Sequence, residues 1–561
     1  MTPARSYVHG ASATPLLHQT IGEALDRAAQ RWPDQEAVVV RDSKIRLTFT
    51  ELRHRAGRLA AGFIALGLTP GDRIGIWSPN RIEWVLTQYA AAKAGLVLVN
   101  INPAYRVAEL EHALNKVECR ALVTADRFRT SDYIGMLRTL APELAHCAAG
   151  ALQAARLPHL AVVIHMEATE EPGFLDFAAV ERMAGPAEEA RLAELAGIIQ
   201  PDDAANIQFT SGTTGAPKGA TLTHNNIVNN AFFQGEVIGA REGDRYCNAL
   251  PLYHCGGTVC GSLLGIVHGV TLIWLGEAFD PAAALETLQS ERCTIFAGVP
   301  TIFVAIVNHP GFSGYDLSCL RTGMIGGAPC PEALMRRIID EMHMRDVTII
   351  FGMTETSPVS IQTRPDDTLE RRVSTVGRAH PNLEIKVVSP AGQIVPRGTQ
   401  GEICTRGYSV MLGYWNDAAA TSAAIDPARW MHTGDLGVMD ADGYVRITGR
   451  SKDMVIRGGE NIYPAEVEAF LARHPAVADV HGFGVPDAHW GEEFCVWIRL
   501  KDGFSTSEDD IRAFCRGQIT HFKIPRHVRF VEQYPMTVTG KVQKFVMREM
   551  MLTELTADTR G

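Results

Sequence analysis

The chain has 561 residues, 46% of them hydrophobic and 21% charged, with a formal net charge of −10. That length exceeds what one hydrophobic core serves, so at least two domains are expected, and the acidic balance argues against nucleic acid as the main partner. No run reaches the about 18 to 20 uninterrupted apolar residues of a membrane span; Met1 to Thr20 lacks a secretory apolar core and holds Arg5 as its sole Arg or Lys, so a cytoplasmic location is expected.

In chain order, Thr20-Ile-Gly-Glu23 predicts a capping box, with Leu25, Ala28, Ala29 and Trp32 at helical spacing behind it and Pro33 ending the run. Ala37-Val-Val-Val40 predicts a buried strand. Leu52, Ala56, Leu59 and Phe63 mark a second amphipathic helix, closed by Gly67. Arg73 to Trp77, a helix around Trp84 to Ala92, and Leu96 to Asn100 continue the alternation, which implies a mainly parallel sheet faced by helices. The Ala-rich stretch from Cys147 to Leu160 predicts a helix and its loop. A change of character follows Tyr444-Val-Arg-Ile-Thr-Gly449, where a charged, glycine-bearing segment opens a final section of about 100 residues, the size of a small domain. The boundary is set near Lys452, giving domains 1–451 and 452–561. Eleven cysteines, Cys119 to Cys515, contain no C-x-x-C pair and are expected as small buried hydrophobes of a reducing compartment. His254, Cys255 and Cys260 lie close together, but their spacing does not fit the zinc patterns.

The strongest local signal is Thr210-Ser-Gly-Thr-Thr-Gly-Ala-Pro-Lys-Gly219, behind the apolar Ile207-Gln-Phe209. Its glycines permit close backbone approach, its hydroxyls suit phosphate oxygens, and Lys218 adds positive charge. It lacks the Gly-Lys-Ser/Thr ending of a Walker A loop. Composition suggests phosphate without naming a reaction. Further along stand Leu250-Pro-Leu-Tyr-His-Cys-Gly-Gly257, Gly326-Gly-Ala-Pro329, Phe351-Gly-Met-Thr-Glu-Thr-Ser357 and Trp430-Met-His-Thr-Gly-Asp435. The last are Gly449-Arg-Ser-Lys-Asp-Met-Val-Ile-Arg-Gly-Gly-Glu-Asn-Ile-Tyr-Pro464 and Pro535-Met-Thr-Val-Thr-Gly-Lys-Val-Gln-Lys544.

Segments of this kind in this order resemble the adenylate-forming superfamily, from about Thr20 to Lys544, and look closest to its fatty, medium-chain acyl-CoA synthetases. The resemblance implies a large N-terminal α/β domain of mainly parallel sheets flanked by helices, with a small distorted β-barrel. It also implies a small mobile α+β C-terminal domain. ATP, Mg²⁺ and coenzyme A are the implied cofactor and cosubstrates, a small carboxylic acid the implied substrate; a homodimer is compatible with it.

Carried over by position, Thr210, Ser211, Gly212, Thr213, Thr214, Gly215 and Lys218 form the phosphate loop. Gly327, Ala328 and Pro329, with Phe351, Gly352 and Met353, flank the adenine; Phe351 replaces the family's usual Tyr and keeps a ring face without the phenol. Thr354 donates to the α-phosphate, and Glu355, helped by Thr210, holds Mg²⁺. Asp435 accepts the ribose hydroxyls, and Arg450 contacts ribose and phosphate. Lys452 is the hinge, Gly459 lies against the pantetheine arm, and Lys541 is the catalytic cation of adenylation. His254 borders the acyl pocket; Val299, Met324 and Ile325, near it in this reading, suit an aliphatic chain and equally a protein core. The alternatives are an aryl-CoA ligase or a stand-alone adenylation enzyme that loads a carrier protein; a non-enzymatic nucleotide sensor would not need Lys541, Glu355 and Asp435 together.

Overall fold

Strand and helix alternate as the apolar periodicity dictates in a computed structural model that describes residues 4–210, 217–451, 453–457, 460–487, 490–537 and 541–558. Thr20 caps the helix Ile21–Arg31: its hydroxyl accepts the Glu23 N–H at 3.2 Å, and the Glu23 carboxylate accepts the Thr20 N–H at 2.7 Å. Thr48 and Glu51 repeat the device for Phe49–Ala65. Each box satisfies backbone donors that a helix start leaves open. The runs read as strands are Glu36–Val40, Arg73–Trp77, Val97–Ile101 and Ala204–Thr210.

Cys147–Leu160 contains no helix, contrary to expectation; it is a chain of turns before the strand Val162–His165. Its buried apolar residues, Leu152, Ala154, Leu157 and Leu160, do not follow the helical period. Gly150 takes φ +81°, and the Leu152 N–H donates to the Ala161 carbonyl at 2.9 Å. Alanine propensity without an apolar stripe does not hold a helix against such a tie.

Two compact units emerge from the chain, one comprising His9–Ile385 and Thr405–Met431, the other Met1–Val8, Lys386–Cys404 and His432–Gly561. The first holds two large sheets. In the nine-stranded sheet the order is Arg378–Ala379, Val359–Gln362, Asp346–Gly352, Thr322–Ile325, Ile295–Gly298, Arg245–Asn248, Thr271–Trp274, Glu36–Val40, Ile45–Thr48. Its six central strands, Asp346–Gly352 through Glu36–Val40, are parallel, and its rims are antiparallel. The eight-stranded sheet is parallel from Phe174–Asp176 to Ala204–Thr210, then turns antiparallel into Lys218–Thr223 and Gly413–Tyr414.

One feature of the nine-stranded sheet positions a site. The segment after Arg245–Asn248 packs on one face, where Leu252, Cys255, Val259 and Leu263 join the core with helices Ile21–Arg31, Phe49–Ala65 and Ile82–Lys93. The helices after the neighbouring strands, Pro281–Ser290, Pro300–Val307 and Glu332–Asp340, bury Leu285, Phe303 and Met335 on the other face. Chains leaving Arg245–Asn248 and Ile295–Gly298 therefore diverge at their carboxyl ends, where open α/β sheets usually hold their ligand crevice.

The second unit carries a sheet ordered Glu460–Ile462, Val455–Arg457, Gly491–Leu500, Val477–Asp487, with His527–Phe530 also beside Gly491–Leu500. Val467 and Leu471 of Pro464–Leu471 and Ile511 of Glu508–Cys515 pack on one face; Met547 and Met551 of Lys544–Asp558 pack with Phe483 and Trp497 on the other. This is the small α+β part. The small barrel takes the form of a five-stranded sheet of Tyr7–His9, Leu383–Val388, Gln400–Gly407, Met431–Met439 and Val445–Arg450.

Candidate active site

Four adjacent parallel strands of the nine-stranded sheet deliver predicted residues to one edge. Arg245–Asn248 runs into the loop of His254, Ile295–Gly298 into Val299, Thr322–Ile325 into Gly326 to Pro329, and Asp346–Gly352 into Met353, Thr354 and Glu355. Gly327, Ala328 and Pro329 are exposed, and Gly327 needs its glycine because φ is +82°. A Cβ on Gly352 would sit 1.7 Å from the Pro358 carbonyl oxygen, so the chain turns here with backbone against backbone. Phe351 and Met353 are half-buried beside it.

Glu355 is 5% exposed and Thr354 9% exposed. The Tyr414 hydroxyl donates to Glu355 Oε1 at 2.8 Å, and Lys218 Nζ stands 5.1 Å from the centroid of the Tyr414 ring. Among the described residues, no Lys or Arg forms an ion pair with Glu355. Burial and the adjacent Glu355 charge push the Tyr414 phenol up, so it stays a donor. Three separate elements meet in this cluster. Lys218 opens the strand Lys218–Thr223, which pairs Ala220 with Tyr414, and Thr210 faces Lys218 across the hairpin. Ser211, Gly212, Thr213, Thr214 and Gly215 lie outside the described residues.

His254 is exposed and caps the short turn Cys255–Gly257, its Nδ1 accepting the Gly256 N–H at 3.2 Å. In the neutral ring this leaves the proton on Nε2. Cys255 Sγ lies 3.6 Å from His254 Nδ1 and 3.8 Å from Thr354 Oγ1, so the His254 loop touches the Thr354 turn. Burial pushes the Cys255 thiol up, which makes it a packed thiol rather than a nucleophile. Behind it, Thr258–Leu263 is a fully buried π-helical turn, a form common at functional sites. Asn80, Asn100 and Asn248 brace this loop by side-chain amides donating to the Leu250, Tyr253 and Gly256 carbonyls. Met324 and Ile325 are both buried in their strand but face opposite ways. Met324 joins the cluster of Cys255, Val259 and Cys260, and Ile325 the cluster of Phe303 and Met335.

In the second unit, Asp435 and Arg450 pair across antiparallel strands, Arg450 Nε donating to Asp435 Oδ1 at 2.7 Å. Asp435 is 5% exposed. Burial pushes its carboxyl up, against the opposing pull of Arg450 and, more weakly, of Lys541. Lys541 is exposed: its N–H donates to Thr537 Oγ1 at 3.0 Å, and the Thr537 N–H to its carbonyl at 2.8 Å. Of these predicted residues, a hydrogen bond brings Asp435 and Arg450 together. Lys452 and Gly459 lie outside the described residues. Tyr414 escaped the sequence reading: a tyrosine in Leu412-Gly-Tyr-Trp415 carries no local signal, and only strand pairing aims it at Glu355.

Residues 25–415 match the AMP-binding enzyme family, and residues 466–541 match the AMP-binding enzyme C-terminal domain. The mitochondrial medium-chain acyl-CoA ligase ACSF2 of Bos taurus is 46% identical over 553 residues, covering 97% of this chain and 90% of the bovine one. The putative acyl-CoA synthetase YngI of Bacillus subtilis (strain 168) is 46% identical over 535 residues, covering 95% and 97%. Among solved structures, the anthranilate CoA ligase AuaEII in complex with anthranoyl-AMP matches with a TM-score of 0.82 at 26% identity, covering 97% of this chain and 99% of that one. A fatty acyl CoA synthetase of Mycobacterium tuberculosis matches with a TM-score of 0.73 at 29% identity, covering 95% and 98%. With Tyr414 joining Lys218 to the buried Glu355 next to Thr354, and with matches over nearly the whole chain, the chain belongs to the AMP-binding, adenylate-forming enzyme family.

Proposed function

We propose that this protein is an AMP-forming acyl-CoA ligase acting on a medium-chain fatty acid. A carboxylate oxygen attacks the α-phosphorus of ATP and pyrophosphate leaves; the thiol of coenzyme A then attacks the acyl carbonyl of the adenylate and AMP leaves. The observation that carries the reading is Glu355. A buried carboxylate without an ion pair is costly unless a cation joins it, and this one stands at the carboxyl edge of the sheet with Oε1 already held by Tyr414.

That donor set suits Mg²⁺, which takes few protein oxygens and keeps phosphates and waters: Glu355, with the Thr210 hydroxyl, would hold it. When bound, the ion neutralises charge on the phosphate oxygens. Lys218, Ser211, Thr213 and Thr214, with the backbone of Gly212 and Gly215, cradle the phosphates, and Thr354 donates to the α-phosphate. Gly327, Ala328, Pro329, Phe351, Gly352 and Met353 border the adenine. Asp435 accepts the ribose hydroxyls, and Arg450 keeps that carboxylate ionised against its burial. Lys541 is an electrostatic clamp on the developing phosphoryl charge rather than a base, because the acid substrate is already ionised at neutral pH.

His254 and Val299 flank the crevice where the acyl carboxylate enters. Met324, rather than Ile325, faces the apolar side shared with Val259 and Cys260, and we assign the chain's path to that side. Residues 452–561 form the part that turns about Lys452 between the half-reactions, bringing Gly459 against the pantetheine arm and withdrawing Lys541. The free cysteines, nine of eleven buried, suit a reducing compartment, read as the cytoplasm. The test is pyrophosphate release across acids of graded chain length and aromatic acids, with and without coenzyme A, on protein whose homodimer is checked by sedimentation. Turnover peaking at medium-chain acids and yielding thioester supports the reading; preference for aromatic acids, or no thioester product, overturns it.

A further inference from the structure

A second group of chemically reactive side chains lies in the smaller unit, and the adenylation chemistry does not use it. Glu402 and Cys404 stand two residues apart on the strand Gln400–Gly407, hence on one face. His432, on Met431–Met439, meets both: its Nδ1 lies 2.8 Å from Glu402 Oε2 and 3.6 Å from Cys404 Sγ. The three donor atoms all fall within 4.8 Å of one another. Cys404 is buried, whereas the Glu402 and His432 side chains are 27% and 29% exposed, which leaves an approach from solvent.

We propose that Glu402, Cys404 and His432 form a binding site for a thiophilic divalent cation of the Zn²⁺ type, distinct from any Mg²⁺ at Glu355. A thiolate, an imidazole and a carboxylate are the donors such an ion selects, with water as the fourth ligand. At ordinary zinc–ligand lengths, sulfur and nitrogen ligands on a tetrahedron stand about 3.5 Å apart, and the Sγ to Nδ1 separation is 3.6 Å. The carboxylate oxygen needs to withdraw from Nδ1 by about half an ångström, which the loss of their hydrogen bond permits. Binding moves the imidazole proton from Nδ1 to Nε2 and releases the thiol proton to solvent, so affinity rises with pH.

Glu402 is also held from behind. Its Oε1 accepts the Gly434 N–H at 3.0 Å, fixing the carboxylate with Oε2 turned toward His432, the kind of outer support that orients metal ligands. Gly434, at φ +71°, immediately precedes Asp435, so an ion on Glu402 is one hydrogen bond from the turn that presents the ribose carboxylate.

The test titrates the full chain with Co²⁺, then Zn²⁺, in excess Mg²⁺, following the thiolate-to-cobalt absorption band and bound metal after dialysis. One equivalent with a thiolate band is expected. Cys404→Ser should abolish the band and the tight equivalent while melting as the parent does, and Glu402→Gln should weaken binding about tenfold or more. No thiolate band in the parent chain, or the same metal content in Cys404→Ser, would mean a hydrogen-bonded triad only and would overturn the proposal. Because Cys404 has no part in adenylation, the result is independent of the catalytic reading.

Discussion

Single side chains divide the work between charge and aim. In the proposed mechanism Lys541 supplies charge: replacing it with Ala should cut acid-dependent pyrophosphate release by about 10² to 10³-fold, while thioester formation from supplied acyl-adenylate and coenzyme A stays near the parent rate. Equal loss in both half-reactions would remove the clamp role. Tyr414 supplies aim. Its hydroxyl fixes Oε1 of a buried carboxylate, so Tyr414→Phe should raise the Mg²⁺ concentration for half-maximal adenylation about tenfold, with kcat at saturating Mg²⁺ largely kept. A fall in kcat with unchanged Mg²⁺ dependence would mean that the ring matters and the hydroxyl does not. Asp435 needs its partner: burial raises its pKa and Arg450 lowers it, so Arg450→Gln should move the acid limb of ATP binding to higher pH. Isothermal titration across the acid range reads that shift, and an unmoved limb would leave Arg450 with ribose and phosphate contact alone.

At the scale of elements, helix starts and buried imidazoles set the stability. His224 opens the helix His224–Ile238 and accepts the Ile21 N–H at Nδ1, 3.2 Å away. Burial holds its pKa at about 4, below the ordinary 6.5, so the folded chain keeps it neutral. As pH falls below 6.5 the unfolded chain takes up the proton first, and stability drops progressively down to pH 4. The drop amounts to about 3 kcal/mol from this residue. His268 and His380 are lowered in the same direction by burial. Denaturant midpoints at pH 7 and pH 5 should therefore differ, and His224→Gln should narrow the difference; an unchanged gap would assign the acid sensitivity to the other imidazoles.

For the whole molecule, the question is how one set of loops serves two reactions. In our reading, residues 452–561 turn about Lys452, and a proline there would fix φ and remove one of the backbone donors. Lys452→Pro should slow the thioester half-reaction about tenfold or more in single turnover and spare adenylation. Loss of both together would point to a folding defect, separable by melting temperature, and no effect would move the hinge elsewhere.

The sequence by itself determined the parallel α/β rhythm, the capping box at Thr20 and the order of the loops that bear Lys218, Glu355, Asp435 and Lys541, because each is a local pattern of periodicity or residue type. It misread Cys147 to Leu160, where alanine content has no apolar stripe behind it, and passed over Tyr414, which reaches Glu355 only because Gly413–Tyr414 pairs with Lys218–Thr223. It treated Met324 and Ile325 alike, although a strand turns neighbours to opposite faces. Only the tertiary structure decided these points, since which side chains meet depends on pairings between residues far apart in the chain, and no local pattern encodes them.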